Sequence, residues 1–455
     1  MFKNLLRMNN NITRRIAKCC LLSLLLISAC TKTKKYSPSI TSVYKTQEAV
    51  VAMDKWGGII KKGQAGVDDA TVIQAALEAI SPAGELRISA GKYILSQPLK
   101  IEANLKIVGE GRGTVLVPPS NDYAIRIEKN TSNMIPRPYH KVENDPLYAI
   151  IIRDLTIDGE TDASTHSGKG IRITRIWSSS FENLWIQNVD HALSLNTIHE
   201  SDFSNIYLMN TGNEEEKTPG IYMYHADNIH FDGLYVIYQN YIGLDIHKSK
   251  LIFASNSMFH GWLPRLGGPG KYPLIRLRDL NNNRNPEDRL KGDFVLENTR
   301  ITVGGGQESI QIDNSPFTLS QCVATSGFAH TLIKATGNSR INVSNNSFYS
   351  LKDKPAGTYV VDAEDSEVYF KNNTLGGKNL SLKLSGIRNS IISDNRFDVE
   401  VTGPSILLDK SPLSISKSVQ VKGNFFKSNT LKEAIQQLPG SGKNISIQNN
   451  MLLTE

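Results

Sequence analysis

Six side chains able to move protons or hold charge sit at matched places in three successive segments. They are Tyr222 and Tyr224 in Gly220-Ile-Tyr-Met-Tyr224, Asp245 and His247 in Gly243-Leu-Asp-Ile-His247, and Arg276 and Arg278 in Leu274-Ile-Arg-Leu-Arg278. In each segment the pair alternates with Ile, Leu or Met, the spacing of a strand with one buried face. An imidazole or a phenol can take or give a proton, a carboxylate can orient it, and two guanidinium groups can hold an anion. Any one of these residues alone reads as a solvated strand face. Six together, beside the longest insertions, form a candidate site. Tyr222, Asp245, His247, Arg276 and Arg278 are the candidate catalytic residues. Equivalent places in neighbouring segments give Arg172, Asn196, Tyr224, Gln311 and Asp313 as candidate substrate contacts.

Residues this far apart in sequence meet only if the chain repeats. A short phrase does recur: apolar, any, small polar or Gly, any, any, apolar, as in Phe181-Glu-Asn-Leu-Trp-Ile186 and Phe370-Lys-Asn-Asn-Thr-Leu375. Its third position falls at Asp154, Asn183, Asn205, Gly233, Asn256, Asn298, Gln321, Asn345, Asn372, Asp394, Gly423 and Asn449. The spacing is 22 to 29 residues apart from one gap of 42. A period of this size marks a solenoid. Asn, Asp and Gly tolerate a left-handed backbone and so punctuate strands. Each unit then holds about three short strands, and stacked units give a single-stranded parallel β-helix, an all-β fold with coils ~4.8 Å apart. Turn asparagines at one register would form a hydrogen-bonded ladder. A leucine-rich repeat is the competing architecture, but it needs a Leu-dominated template that is missing here. On the β-helix reading, Tyr222, Asp245 and Arg276 lie on three adjacent coils, within ~10 Å of solenoid length.

The chain of 455 residues is 40% hydrophobic and 21% charged, ordinary for a soluble globular protein. Its start differs. Lys3, Arg7, Arg14, Arg15 and Lys18 precede the apolar run Leu21–Ile27, which ends in Ser28-Ala29-Cys30. This is the layout of a secretory signal. The ending Leu26-Ile-Ser-Ala-Cys30 resembles a bacterial lipobox, which implies acylation of Cys30 and a lipid-anchored place in the bacterial cell envelope. A plain signal peptide with a coincidental Cys is the alternative. Residues 1–29 hold five cations and no acid, so their removal lowers the net charge from +7 to +2. With the charge near balance and no basic run in the fold, nucleic acid is not an expected partner. Cys19 and Cys20 leave with the signal and Cys30 is acylated, so only Cys322 remains, read as a buried filler with no disulfide or Cys-based metal site.

The expected organisation is a signal over residues 1–29, a polar tether over 30–45 and the β-helix domain over 46–455. One clear helix falls near 69–80, with Val72, Ile73, Ala76, Leu77 and Ile80 as its apolar stripe and Asp68 or Asp69 as its cap. A solenoid needs its open end covered, and this helix is placed to do so. Insertions are expected at 128–148, 212–219, 261–272 and 281–292, and a helical run at Leu431 to Leu438. The segments Gly66-x-Asp68-Asp69-x-x-x-Ile73-Gln74-x-Ala76, Ala90-Gly-Lys-Tyr-Ile-Leu-Ser-Gln-Pro-Leu99 and Ile107-Val-Gly-Glu-Gly111 resemble the start of the pectate-lyase-like β-helix proteins. That superfamily includes polygalacturonases, polysaccharide lyases and phage tailspikes.

The resemblance implies a right-handed coil and a polysaccharide ligand, with aromatic faces stacking on sugar rings and arginines pairing with uronate carboxylates. Polygalacturonases carry N-T-D, D-D, G-H-G and R-x-K motifs on consecutive coils. Asn188-Val-Asp190 matches the first, which adds Asp190 to the substrate contacts, and Arg276-Leu-Arg278 nearly matches the last. The paired acids would fall near Pro219-Gly220 and the histidine at Ile242, and both are missing. Hydrolysis, which needs two carboxyl groups, would have to use another pair such as Asp190 and Asp245. β-Elimination needs a cation to neutralise the uronate and a base for its C5 proton. Arg276 or Arg278 fits the first role. His247, Tyr222 or Tyr224 fits the second, with Asp245 orienting the histidine or binding a hydroxyl. Lyases of this fold often use Ca²⁺ held by acids, but no dense acid cluster occurs, and no cofactor is expected. Glu214-Glu-Glu216 reads as a solvated loop. The expected function is action on a polysaccharide, by elimination or by hydrolysis. The alternative is a non-catalytic glycan-binding or surface scaffold protein.

Overall fold

The computed structural model describes residues 39–128, 147–160, 168–263, 268–269, 272–280, 293–303, 308–326, 331–350, 358–410, 416–428 and 430–453. Residues 1–38, with the expected signal, Cys30 and most of the tether, lie outside these, as do 129–146 and 281–292, which cover most of two expected insertions. Strands stack in parallel along three faces from Glu85 to Leu452. The fold is the expected parallel β-helix. The leucine-rich alternative is excluded, because among the described residues the coils return through strands rather than through a helix.

The recurring phrase is the turn between the first and second faces. All twelve of its third positions have positive φ, from 46° at Asn298 to 73° at Gly233. The phrase therefore recurs because the chain needs a left-handed residue at that corner once per coil. Part of the expected ladder forms there: Asn183 donates to Asp154 at 2.9 Å, Asn205 to Asn183 at 3.1 Å and Asn298 to Asn256 at 2.6 Å. Gly233 has no side chain to offer, and Asn256 donates to Asp232 instead, at 2.7 Å. In the later coils a second ladder runs inside the coil, one residue further on. Asn346, Asn373, Asn395, Asn424 and Asn450 each accept from the previous amide along the row, at 2.8 to 3.1 Å. Cys322, buried as expected, heads this row by donating its N–H to Asn346.

Apolar residues at the alternate strand positions fill the interior, with Phe181, Phe203 and Phe231 stacked at 4.7 and 4.9 Å. Folding starts earlier than the expected boundary at residue 46. Ile40–Lys45, placed in the tether by sequence, pairs antiparallel with Ala49–Asp54 and parallel with Glu85–Ile88. The helix Asp69–Ile80 buries its expected stripe and packs on these first strands. Neither Asp68 nor Asp69 caps it with a side-chain bond. The Asp69 carboxylate instead accepts from Gly66 and Ile94 N–H and from Lys45 Nζ at 2.6 Å, tying the helix to the sheet. The expected helix over Leu431 to Leu438 is shorter. It runs Leu431–Ala434, capped by Thr430, and then Ile435–Gln437 pairs with the strand of the coil below, a tertiary pairing that overrides local helix propensity.

Candidate functional site

The third face carries the candidate site. Its strands pair so that Arg172, Ser194, Tyr222, Asp245, Arg276 and Gln311 follow one another coil by coil. A second row, two residues on, reads Thr174, Asn196, Tyr224, His247, Arg278 and Asp313. The intervening Ile, Leu and Met side chains are fully buried. The structure thus places ten of the eleven sequence-derived site residues on one outer wall, in the expected register.

The eleventh is a correction. Asp190 was expected to touch substrate, but it lies at the corner entering this face and is 1% exposed. Its carboxylate accepts from Asn213 Nδ2 at 2.9 Å, and its carbonyl accepts from Thr218 Oγ1 at 3.1 Å. Asp190 is the root of the 212–219 loop and faces no solvent. Burial raises its pKa above the usual carboxylate range. A catalytic pair of Asp190 with Asp245 is removed for the same reason.

Asp245 is 1% exposed as well, because two arginines cover it. Arg276 donates through Nε to Oδ1 at 3.2 Å and through Nη2 to Oδ2 at 2.6 Å. Arg278 donates through Nε at 3.1 Å and Nη2 at 2.8 Å to the same two oxygens. One carboxylate therefore holds two forked guanidinium groups side by side, a geometry that lysine could not reproduce. The group carries net positive charge on its outer side. It also removes Asp245 from the role of orienting His247.

A residue that sequence reading missed supplies that orientation. Asp279 Oδ2 lies 3.4 Å from His247 Nε2, and Asp279 Oδ1 accepts from Asn314 at 3.2 Å. Asp279 occupies the left-handed corner after the strand, at φ 55°. Such corners follow the strand on successive coils at Arg175, Thr197, His225, Lys248, Asp279 and Asn314. That regularity was the available signal. A corner side chain one coil on from a histidine is in reach of it. Burial first, then the nearby Arg278 charge, lowers the His247 pKa, so the ring is neutral at neutral pH. With Nε2–H directed at Asp279, Nδ1 is left as a proton acceptor. Tyr224 packs its ring at 5.3 Å from His247 and at 4.0 Å from His225. Burial raises the Tyr222 phenol above its usual value, which keeps it protonated.

Tyr123 and His191 were missed too. They lie one residue group earlier on this face, with Tyr123 O–H 3.0 Å from His191 Nδ1 and Arg126, Lys169 and Arg172 near the hydroxyl. His191 Nε2 is buried and has no partner among the described residues. Burial pushes the His191 pKa down to about 4. Among the described residues no three His, Cys, Asp or Glu side chains gather as a metal site would need.

No family model and no curated protein matches this chain. Among solved structures it is similar to the DFA-IIIase of Arthrobacter chlorophenolicus A6 in complex with GF2. Identity is 12% and the TM-score 0.50, over 85% of this chain and 96% of that one. It is also similar to the mannuronan C-5 epimerase AlgE6 A-module of Azotobacter vinelandii, at 13% identity and a TM-score of 0.47, over 86% and 97%. ORF18 of Geobacillus virus E2 aligns at 13% identity and a TM-score of 0.36, and this chain spans 60% of its length. The likeness to the DFA-IIIase is one of fold.

Proposed function

We propose that this protein binds an acidic polysaccharide along the outer wall of the third face and opens it by β-elimination. The observation that carries the reading is the paired fork of Arg276 and Arg278 on Asp245, beside an imidazole held by Asp279. Each arginine spends Nε and Nη2 on Asp245, and both guanidinium groups stay partly exposed, at 24% and 34%, toward an incoming carboxylate. Neutralising a uronate carboxylate acidifies its C5 proton. His247 Nδ1 takes that proton, the electrons form the C4–C5 double bond, the C4–O bond breaks, and the neutral Tyr222 phenol protonates the leaving oxygen. Tyr224 packs the histidine in place. Arg172, Asn196, Gln311 and Asp313 extend the wall on both sides and contact neighbouring sugars. Hydrolysis is less well supported, since Asp245 carries four arginine donors and Asp279 is engaged by His247 and Asn314, so neither is a free carboxyl group. The DFA-IIIase–GF2 complex shares the scaffold, but a shared fold does not transfer its ligand.

One observation favours the second reading, a glycan-binding scaffold without catalysis. Asp245 already pairs with both arginines, so the wall keeps its shape without a ligand. A panel of uronate polymers separates the two. The ultraviolet absorbance of an unsaturated uronate product, lost in His247→Ala, supports elimination. New reducing ends without that absorbance mean hydrolysis, and binding without products means a scaffold. We further propose export and lipid anchoring through Cys30 in a bacterial envelope, supported by the pattern of residues 1–30 alone.

A further inference from the structure

The loop over 212–219 interrupts the coil just before the strand Ile221–Tyr224, and it is a built element. Asn213 and Thr218 exchange both backbone bonds, at 2.8 and 2.9 Å, and both side chains are tied to Asp190. Gly212 lets the loop leave the coil: its φ is +91°, and a Cβ there would stand 3.2 Å from the Tyr241 backbone nitrogen. From this root two exposed glutamates reach out in different directions. Glu216 lies 3.1 Å from Lys169 Nζ. Glu214 accepts from the Tyr272 hydroxyl at 2.7 Å.

Tyr272 is the informative end. Its ring packs on Tyr241 at 4.6 Å with a tilt of 58°, and the Tyr241 hydroxyl lies within hydrogen-bonding reach of Arg276. An uninterrupted series of contacts therefore runs from the loop through two aromatic rings to the arginine pair. The ordinary role for such a pair would be to fill the base of a loop. Filling does not require the outer ring to stay partly exposed, nor its hydroxyl to be clipped by a carboxylate brought from another coil. The clip fixes the ring plane before any ligand arrives, so little rotamer entropy is left to lose on binding. A fixed, partly open aromatic face beside a cation pair suits a sugar ring whose neighbour carries a carboxylate.

We infer that Tyr272, backed by Tyr241 and clipped by Glu214, is a stacking platform for one pyranose ring of the glycan whose carboxylate meets Arg276 and Arg278. This rests on the acidic-glycan reading above. It adds a contact that reads ring shape and not charge, so it serves acidic and neutral sugars alike.

The test is calorimetric binding of oligogalacturonate, oligoguluronate and oligomannuronate, each with its carboxyl-reduced form, to the mature chain and to Tyr272→Ala, Tyr272→Phe and Glu214→Gln. Tyr272 is at the surface, so these variants fold. Tyr272→Ala weakens the bound acidic probe about tenfold, and weakens its reduced form by a similar factor, while Tyr272→Phe stays within about twofold of the parent. Glu214→Gln, whose amide oxygen can still accept from the Tyr272 hydroxyl, loses no more than Tyr272→Phe. Full affinity in Tyr272→Ala, with the parent binding normally, overturns the platform and leaves the glycan reading standing. A Tyr272→Phe loss as large as that of Ala overturns stacking as the cause. If the unaltered chain binds no probe, the glycan reading fails and the platform with it.

Discussion

Asp279 Oδ2 stands 3.4 Å from His247 Nε2 across one coil of the solenoid. The two act on the imidazole in opposition to its surroundings. Burial and Arg278 lower the His247 pKa, while the Asp279 charge raises it. Replacing Asp279 by Asn therefore lowers it further. The expected outcome by NMR titration of labelled histidine, assigned through His247→Gln, is a midpoint below 6.5 in the parent and a lower one in Asp279→Asn. In an activity assay the acid limb of the pH profile moves to lower pH with it, and the rate falls as the ring loses its orientation. A His247 midpoint indifferent to Asp279→Asn would show that Asp279 does not hold the imidazole, and an acid limb that does not follow the His247 midpoint removes the histidine from the base role.

Asp245 holds Arg276 and Arg278 together from a buried position, while the arginines keep 24% and 34% side-chain exposure. Removing the carboxylate leaves two like charges adjacent and unpaired, which costs most for a buried pair and less where solvent reaches it. Asp245→Asn is expected to lower the unfolding free energy by about 2–3 kcal/mol in urea denaturation. Arg276→Ala alone costs less, because Arg278 still pairs with Asp245. The double variant Asp245→Asn/Arg276→Ala falls short of additivity. Additive effects would mean that the pair does not function as one unit.

Cys30 is tested apart from the fold. In cells fed a labelled fatty acid, the wild-type chain takes up label and partitions with membranes. Cys30→Ser is expected to lose both, since the proposed anchor depends on that one thiol. A Cys30→Ser chain that stays labelled and membrane-bound sinks the lipoprotein assignment.

Most of the architecture was legible because one physical need recurs. Each coil must turn through a left-handed residue, and Asn, Asp or Gly meet that need at Asp154, Asn183, Gly233 and their successors. Period-two alternation then decides which residues share the outer wall, so Tyr222, Asp245 and Arg276 align from the sequence alone. What did not transfer was the pairing within the wall. Alternation says that Asp245 points away from the core, but not that two arginines from the next coil cover it. Asp190 was placed by resemblance to a motif, and its burial depends on how the 212–219 loop returns to it. Asp279 lies outside the alternating strands, and only the regular corner that follows each strand could have pointed to it. Tyr272 lies outside both, where sequence spacing carries no directional information.

The inner asparagine row should matter more than the outer one. Asn373 Oδ1 accepts from both the backbone N–H and the side-chain Nδ2 of Asn346, and its own Nδ2 donates to Val343 and Asn395. Asn373→Ala leaves several buried groups without partners, which is expected to cost about 3 kcal/mol. Asn205 is exposed at a left-handed corner where Gly occurs in another coil, so Asn205→Gly should shift stability by less than about 1 kcal/mol. Urea denaturation midpoints compare the two directly. Equal effects would show that the buried row is not a source of cohesion between coils.

His191 makes the molecule acid-sensitive. Its pKa is pushed from 6.5 down to about 4 in the folded chain, because burial disfavours the charged ring. The unfolded chain then binds a proton at a higher pH than the folded one. Stability from this group is fully present above pH 6.5 and is lost as pH falls toward about 4. At about 1.36 kcal/mol per pH unit the loss approaches about 3 kcal/mol. His191→Gln does not titrate, and its side-chain oxygen can still accept from the Tyr123 hydroxyl. The unfolding free energy of the parent should therefore fall relative to the variant between pH 7 and 4, with the gap opening below 6.5. A gap that stays constant across that window would show that the buried imidazole is not the group that proton binding must displace on unfolding.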